Sequence, residues 1–176
     1  MALTHATLPA PVFDEPTRVL IVTSPYYTDI AEQLVTGARA ACEASRVMYD
    51  EVSVPGALEI PQAMAIAAKS GQYDGFVALG CVIRGETTHY ETVCNDSSAG
   101  LMRLGLQGLC IGNGILTVEN AEQAMVRAEA AGQNKGGGAA EAAFHLITLK
   151  RRFTPDNTPR RAPEGEILLA KGGDTV

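Results

Sequence analysis

The sequence predicts an α/β protein, a four-stranded parallel sheet between two layers of helices in a three-layer αβα sandwich. Two observations carry this. Four short apolar runs alternate with stretches of helical spacing, the order that closes into a parallel sheet covered on both faces. Two of the runs, RVLIVTS at 18–24 and GFVALGCVI at 75–83, are almost continuously apolar, as strands buried on both sides must be. Right-handed crossovers then make the sheet doubly wound.

The elements follow in order. After the strand at 18–24, Ile30, Leu34, Ala38, Ala41 and Cys42 repeat at helical spacing and predict a helix over 29–45, with Thr28 or Asp29 able to cap it. VMYDEVSV at 47–54 reads as the second strand and is stopped by Pro55-Gly56. A helix over 59–70 tolerates Pro61 in its first turn. The strand at 75–83 leads into a helix over 88–105, with Val93, Gly100, Leu101 and Leu104 on one side. LCIGNGIL at 109–116 is the fourth strand, and helices at 119–132 and 135–152 close the fold. Residues 1–16 carry Pro9, Pro11 and Pro16 without periodicity and read as a flexible arm. Residues 154–176, rich in Pro, Gly and charge, read as a tail in which Ile167–Leu169 is the one piece suited to docking. The folded domain is thus expected over 17–153.

With 176 residues the chain fits one domain with a sizeable core. A net charge of -6 argues against a nucleic-acid partner, since phosphate backbones select a basic face. No run approaches 18 apolar residues and the N-terminus has no apolar h-region, so neither a membrane span nor a signal peptide is expected. Cys42, Cys81, Cys94 and Cys110 form no C-x-x-C pair, which removes a zinc or thioredoxin reading. They are expected as free thiols in a cytosolic protein, with Cys81 and Cys110 acting as small buried hydrophobes.

Ligands of doubly wound sheets bind beyond the carboxyl ends of the strands. That directs attention to Pro25-Tyr26-Tyr27, Pro55 to Glu59, Cys81 to His89, and Asn113 to Thr117. The third segment is the most informative. In Arg84-Gly85-Glu86-Thr87-Thr88-His89, Gly85 permits an unusual backbone angle and close approach of a ligand, and the threonines stand where a helix begins. Free N–H groups there favour an anion, and a histidine beside an anion site can move protons near neutral pH. A histidine in that place can equally do no more than pack or cap. His5 in the arm and His145 in mid-helix are assigned no role.

Arg127 can hold a phosphate through two parallel hydrogen bonds, and Lys135 is fixed where Gln133-Asn134-Lys135-Gly136-Gly137-Gly138 breaks one helix and starts another, unless that glycine cluster is only a hinge. In Val54-Pro55-Gly56-Ala57-Leu58-Glu59-Ile60-Pro61 the prolines and glycine fix a turn on which Leu58 can cover a flat ring. Glu59 there can bind hydroxyls or simply favour the helix start. Gly112-Asn113-Gly114 lacks the G-x-G-x-x-G spacing of a dinucleotide loop.

VPGALEIP at 54–61, YDGFVALGCVIRGETTHYETVCND at 73–96, GNGILTVENAEQA at 112–124 and NKGGGAAEAA at 134–143, in this order, resemble the lumazine synthases over residues 18–153, and the GNGILTVEN wording most resembles the alphaproteobacterial branch. The resemblance implies a flavodoxin-like sandwich assembling into homopentamers, with decamers or 60-subunit cages as further possibilities, and active sites between neighbouring subunits. It implies condensation of 5-amino-6-(D-ribitylamino)uracil with 3,4-dihydroxy-2-butanone 4-phosphate to 6,7-dimethyl-8-ribityllumazine, without cofactor or metal.

Position by position, it makes His89 the proton-transfer residue. Tyr26, Ala57, Leu58, Glu59, Cys81, Val82, Ile83 and Asn113 would hold the pyrimidine. Glu86, Thr87, Arg127 and Lys135 would hold the ketose phosphate. Two positions depart from the family: Tyr26-Tyr27 replaces its aromatic-Asn pair, and Asn113 replaces its phenylalanine. A flavin- or lumazine-binding module and a shell-forming protein are the alternatives to a synthase.

Overall fold

The computed structural model describes residues 8–154. His5 and Ile167–Leu169, together with most of the expected tail, lie outside the described residues. Nine elements follow one another: β1 (Arg18–Thr23), α1 (Thr28–Ala44), β2 (Met48–Ser53), α2 (Glu59–Ala68), β3 (Gly75–Ile83), α3 (His89–Leu106), β4 (Ile111–Val118), α4 (Ala121–Ala128) and α5 (Lys135–Phe153). All strand pairs are parallel, in the order β2-β1-β3-β4. The chain therefore reverses its winding beside β1 and β3, and the crevice at their carboxyl ends is the expected ligand position.

The sheet divides two cores. Val19 and Ile21 of β1 and Val77 and Leu79 of β3 face α1, α4 and α5, meeting Leu34, Ala38, Phe144 and Ile147. Leu20, Val22, Phe76 and Ala78 point the other way, toward Ile60 and Met64 of α2 and Val93 and Leu101 of α3. Alternation along each central strand with both faces apolar is what produced the continuous hydrophobic runs.

Glycines set the closest approaches. A Cβ on Gly136 would run into the Leu34 backbone, and one on Gly112 into the Ala139 carbonyl. Gly136 thus lets α5 lie against α1, and Gly137 leaves room for the Asn134 side chain. Asn134, in the left-handed region at φ 48°, caps α5 by accepting a hydrogen bond from the Gly137 N–H at 3.0 Å.

Several expectations change. Neither Thr28 nor Asp29 caps α1; its N-cap is Tyr27, without a side-chain bond. The fourth strand ends at Val118 rather than 116, because Arg84 N–H and the whole carboxyl half of β3 find partners only if pairing runs on to Val118. The fourth helix is shorter than expected and stops before Glu129, whose ψ of 116° is extended. The segment read as a free arm is docked at Phe13, which is 8% exposed, donates its N–H to Ser45 O and meets Phe144 edge-on at 6.1 Å. Gly85 is not among the glycines with positive φ, which among the described residues are Gly71 and Gly108; a Cβ at Gly85 would meet open space. All four cysteines are free, and Cys81 and Cys110 are buried. No helix of the described residues is long and apolar enough to cross a membrane.

Candidate active site

A cleft of about 480 Å³ opens at the carboxyl ends of β1 and β3, on the α2/α3 side of the sheet. Its volume is that of a small-molecule site. Three segments build it. From the end of β1 come Ser24, Tyr26 and Tyr27; from the turn before α2, Pro55 to Glu59; from the end of β3 and the start of α3, Cys81 to Ile83, Gly85, Thr87, His89, Tyr90 and Val93.

Each segment is held by the sheet it leaves. Ser24 is buried, and its N–H donates to Leu79 O at 2.9 Å while its hydroxyl donates to Pro55 O at 3.4 Å. This ties the first wall of the cleft to the second. Val54 N–H donates to Thr23 O at 2.9 Å and delivers the chain to the Pro55-Gly56 turn. Ala57 is buried, Leu58 is half-buried, and the Glu59 carboxylate folds back to 2.9 Å from where a Cβ on Gly56 would stand. The result is an apolar shelf ending in a carboxylate. Tyr27 packs against the core and supports Tyr26 edge-on at 5.1 Å between centroids, leaving the Tyr26 ring 72% exposed at the rim.

The opposite end of the cleft is polar. α3 starts at His89, and Thr88 supplies no side-chain cap. The His89 N–H reaches Thr87 Oγ1 only at 3.4 Å, so this helix start keeps donor capacity for an anion. His89 and Thr87 are exposed beside it. Burial pushes the Cys81 thiol up to about 11, which keeps it protonated and makes it a wall rather than a nucleophile. The Tyr27 phenol is raised by burial first, then by Tyr26 and Cys81. No group of three or more His, Cys, Asp or Glu among the described residues could hold a metal ion.

The cleft thus gathers Tyr26, Ala57, Leu58, Glu59, Cys81, Val82, Ile83, Thr87 and His89. Four residues expected there do not line it. Asn113 sits in the amino half of β4, opposite Ala78 and well short of the strand end, with its side chain accepting from Ile115 N–H at 3.0 Å. The extension of β4 to Val118 is the reason: the Asn113 to Thr117 segment is strand and not the loop beyond it. Glu86 is exposed on the loop outside the cleft. Arg127 stands in the last turn of α4, half-buried, donating to Gln123 O at 2.9 Å; Lys135 opens α5, exposed. Three lining residues had not been singled out: Ser24, Tyr90 and Val93. Val93 falls one turn after His89, so helical spacing already marks it as sharing that face. Ser24 and Tyr90 carried no comparable signal.

An open cleft at the switch point of a doubly wound sheet, with an apolar shelf at one end and a histidine, hydroxyl and free helix start at the other, defines an α/β enzyme site for small polar molecules. Residues 16–151 match the family of 6,7-dimethyl-8-ribityllumazine synthase. The protein of that name from Jannaschia sp. (strain CCS1) is 51% identical over 163 residues, 92% of each chain. Its namesake from Sphingopyxis alaskensis is 53% identical over 136 residues, covering 77% of this chain and 96% of the relative. The one from Bartonella henselae is 55% identical over 139 residues, covering 77% and 90%. This chain belongs to the 6,7-dimethyl-8-ribityllumazine synthase family.

Proposed function

We propose that the cleft is where this enzyme of riboflavin biosynthesis joins its two substrates, and that a neighbouring subunit completes it. The reaction condenses 5-amino-6-(D-ribitylamino)uracil with 3,4-dihydroxy-2-butanone 4-phosphate to give 6,7-dimethyl-8-ribityllumazine, phosphate and two waters. The observation that carries the reading is the polarity of the cleft, a ring-sized apolar shelf facing an anion-ready helix start with His89 beside it.

The pyrimidine lies between Tyr26 and the shelf of Ala57, Leu58, Val82 and Ile83, against Cys81. Glu59 accepts hydrogen bonds from the ribityl hydroxyls. The phosphate of the ketose lies at the start of α3 with the Thr87 hydroxyl, and the backbone of Glu86 belongs to the same loop. The pyrimidine's 5-amino group adds to the ketone, and loss of water gives an imine. Proton removal from the carbon chain expels phosphate. The enol left by that elimination tautomerises to a new ketone, the ribitylamino nitrogen adds to it, and a second water leaves as the ring closes. His89 relays the protons these steps release and consume. Much of the rate comes from holding the two reactants together.

Asn113, Arg127 and Lys135 do not line the cleft of their own chain. Two of them carry the positive charge that a phosphate dianion requires. We assign them to the cleft of an adjacent copy in a homo-oligomer, Asn113 against the pyrimidine and the two cations against phosphate. The direct test is to mix the purified protein with both substrates and follow lumazine fluorescence and phosphate release. Formation of both, with a weaker apparent affinity for the ketose phosphate in Arg127→Ala, is the expected result. Absence of product above the uncatalysed background, with tight binding of flavin or lumazine, would replace synthesis by storage.

A further inference from the structure

We infer that Arg84 is a positioning residue for the phosphate end of the cleft, because it locks the first turn of α3 to the carboxyl end of β4 and so fixes where Thr87 and His89 stand. The inference rests on the phosphate subsite proposed above. Arg84 is the first residue after β3, and its N–H extends the sheet by donating to Val118 O at 2.9 Å. Its guanidinium then meets three partners at once. Nε donates to Glu119 Oε2 at 2.8 Å, Nη1 donates to Glu91 Oε1, and the group lies 4.1 Å from the centre of the Tyr90 ring.

Those partners bracket the site. Tyr90 lines the cleft and follows His89 in the chain, Glu91 stands in the same first turn of α3, and Glu119 directly follows β4. Glu119 N–H in turn donates to the Gln123 side chain at 3.1 Å, which extends the tie to α4, the helix that carries Arg127 in its last turn. The loop between Arg84 and His89 is exposed throughout, and Thr88 does not cap the helix it enters. The Arg84–Glu91 tie anchors the start of α3 while leaving its free N–H groups unoccupied.

The side chains of Arg84, Glu91 and Glu119 are 41%, 48% and 56% exposed. Ion pairs that open to water add little to fold stability. What three simultaneous contacts do fix is direction, since the guanidinium is planar and its donors leave in set directions. The Arg84 guanidinium holds the Glu91 carboxyl below its ordinary range, chiefly through the hydrogen bond between them.

The test uses the full-length protein with both substrates. In Arg84→Met the KM for the butanone phosphate is expected to rise about five- to tenfold, the size of one lost charge-assisted contact. The KM for the pyrimidine should stay within about twofold, with an unchanged circular-dichroism spectrum. Arg84→Lys should behave like Arg84→Met, because an ammonium cannot bridge both carboxylates and cover the ring together. Glu119→Gln should shift the same KM in the same direction, and the double variant should be no worse than Arg84→Met alone. Should Arg84→Met not fold, Glu119→Gln alone decides. An unchanged KM for the butanone phosphate, full rescue by Arg84→Lys, or additive effects in the double variant would overturn the inference. Thr87→Val separates the two levels. If it too leaves that KM unchanged, the phosphate subsite itself is wrong; if it raises the KM while Arg84→Met does not, only the clamp is.

Discussion

Gly136→Ala and Gly138→Ala, two residues apart on α5, should move stability in opposite directions. In a helix, glycine to alanine normally stabilises by about 0.5–1 kcal/mol. At Gly138 nothing lies within 4 Å of the added Cβ, so the full gain is available. At Gly136 the Cβ would stand 2.7 Å from the Leu34 carbonyl carbon and 2.8 Å from its Cα, as well as against the carbonyl oxygen. Carbon atoms pack at about 3.5 Å or more, so the carbon contacts alone require α1 and α5 to part by about 0.8 Å, and the nearer carbonyl oxygen requires more. Backbone atoms of a fully buried residue are on the other side, and no flexible side chain can yield. Overpacking of this kind costs about 1–3 kcal/mol and outweighs the helical gain. Because only backbone obstructs, the upper half of that range applies, about 2–3 kcal/mol, and the net loss is about 1–2.5 kcal/mol. At about 2–4 °C per kcal/mol for a chain of this size, Gly136→Ala should melt about 2–10 °C lower and Gly138→Ala about 1–4 °C higher than the parent, at one protein concentration. Differential scanning calorimetry reads both. Equal shifts for the two variants would refute the claim that Gly136 is required by the α1–α5 contact.

His89→Ala should lower kcat about a hundredfold and leave both KM values within a few-fold, since binding in one cleft survives loss of the proton relay; complete loss of turnover with intact substrate binding would contradict this. Arg127→Ala should raise the KM for the butanone phosphate about tenfold or more, with little change for the pyrimidine, as steady-state kinetics with each substrate varied would report. Burial holds the Cys42 thiol at about 12 and the Cys81 thiol at about 11. Between pH of about 9 and those values the unfolded chain gives up thiol protons that the folded chain keeps, so stability falls as pH rises through that window. Urea unfolding across the window should show a flatter slope in Cys42→Ala, and an unchanged slope would remove the thiol as its cause.

The central strands were legible because β1 and β3 are buried on both faces, so their residues could not alternate in polarity. β4 was harder to read. Its glycines at 112 and 114 serve the packing of α5 and look like turn residues in isolation, which drew the strand two residues too early and put Asn113 near a strand end it does not reach. The docking of Phe13 depends on Phe144, far away along the chain, and no local pattern announces it. Within the site, the loops after β1, β2 and β3 were readable from the rule that ligands sit beyond strand ends. Asn113, Arg127 and Lys135 could not be placed in the same way, because none of them lines the cleft of its own chain and the proposal seats them in a neighbour's.

That sharing is the claim to test most directly. His89→Ala and Arg127→Ala, each nearly inactive at a low concentration of the butanone phosphate, should be unfolded together in equal amounts and refolded. If each cleft takes its histidine from one subunit and its arginine from the next, about one quarter of the clefts in mixed rings regain both residues. Lumazine formation should then rise to about one quarter of the parent rate. Activity no higher than the mean of the two variants, in rings shown to be mixed, would mean that His89 and Arg127 serve the same chain's cleft or that Arg127 serves none.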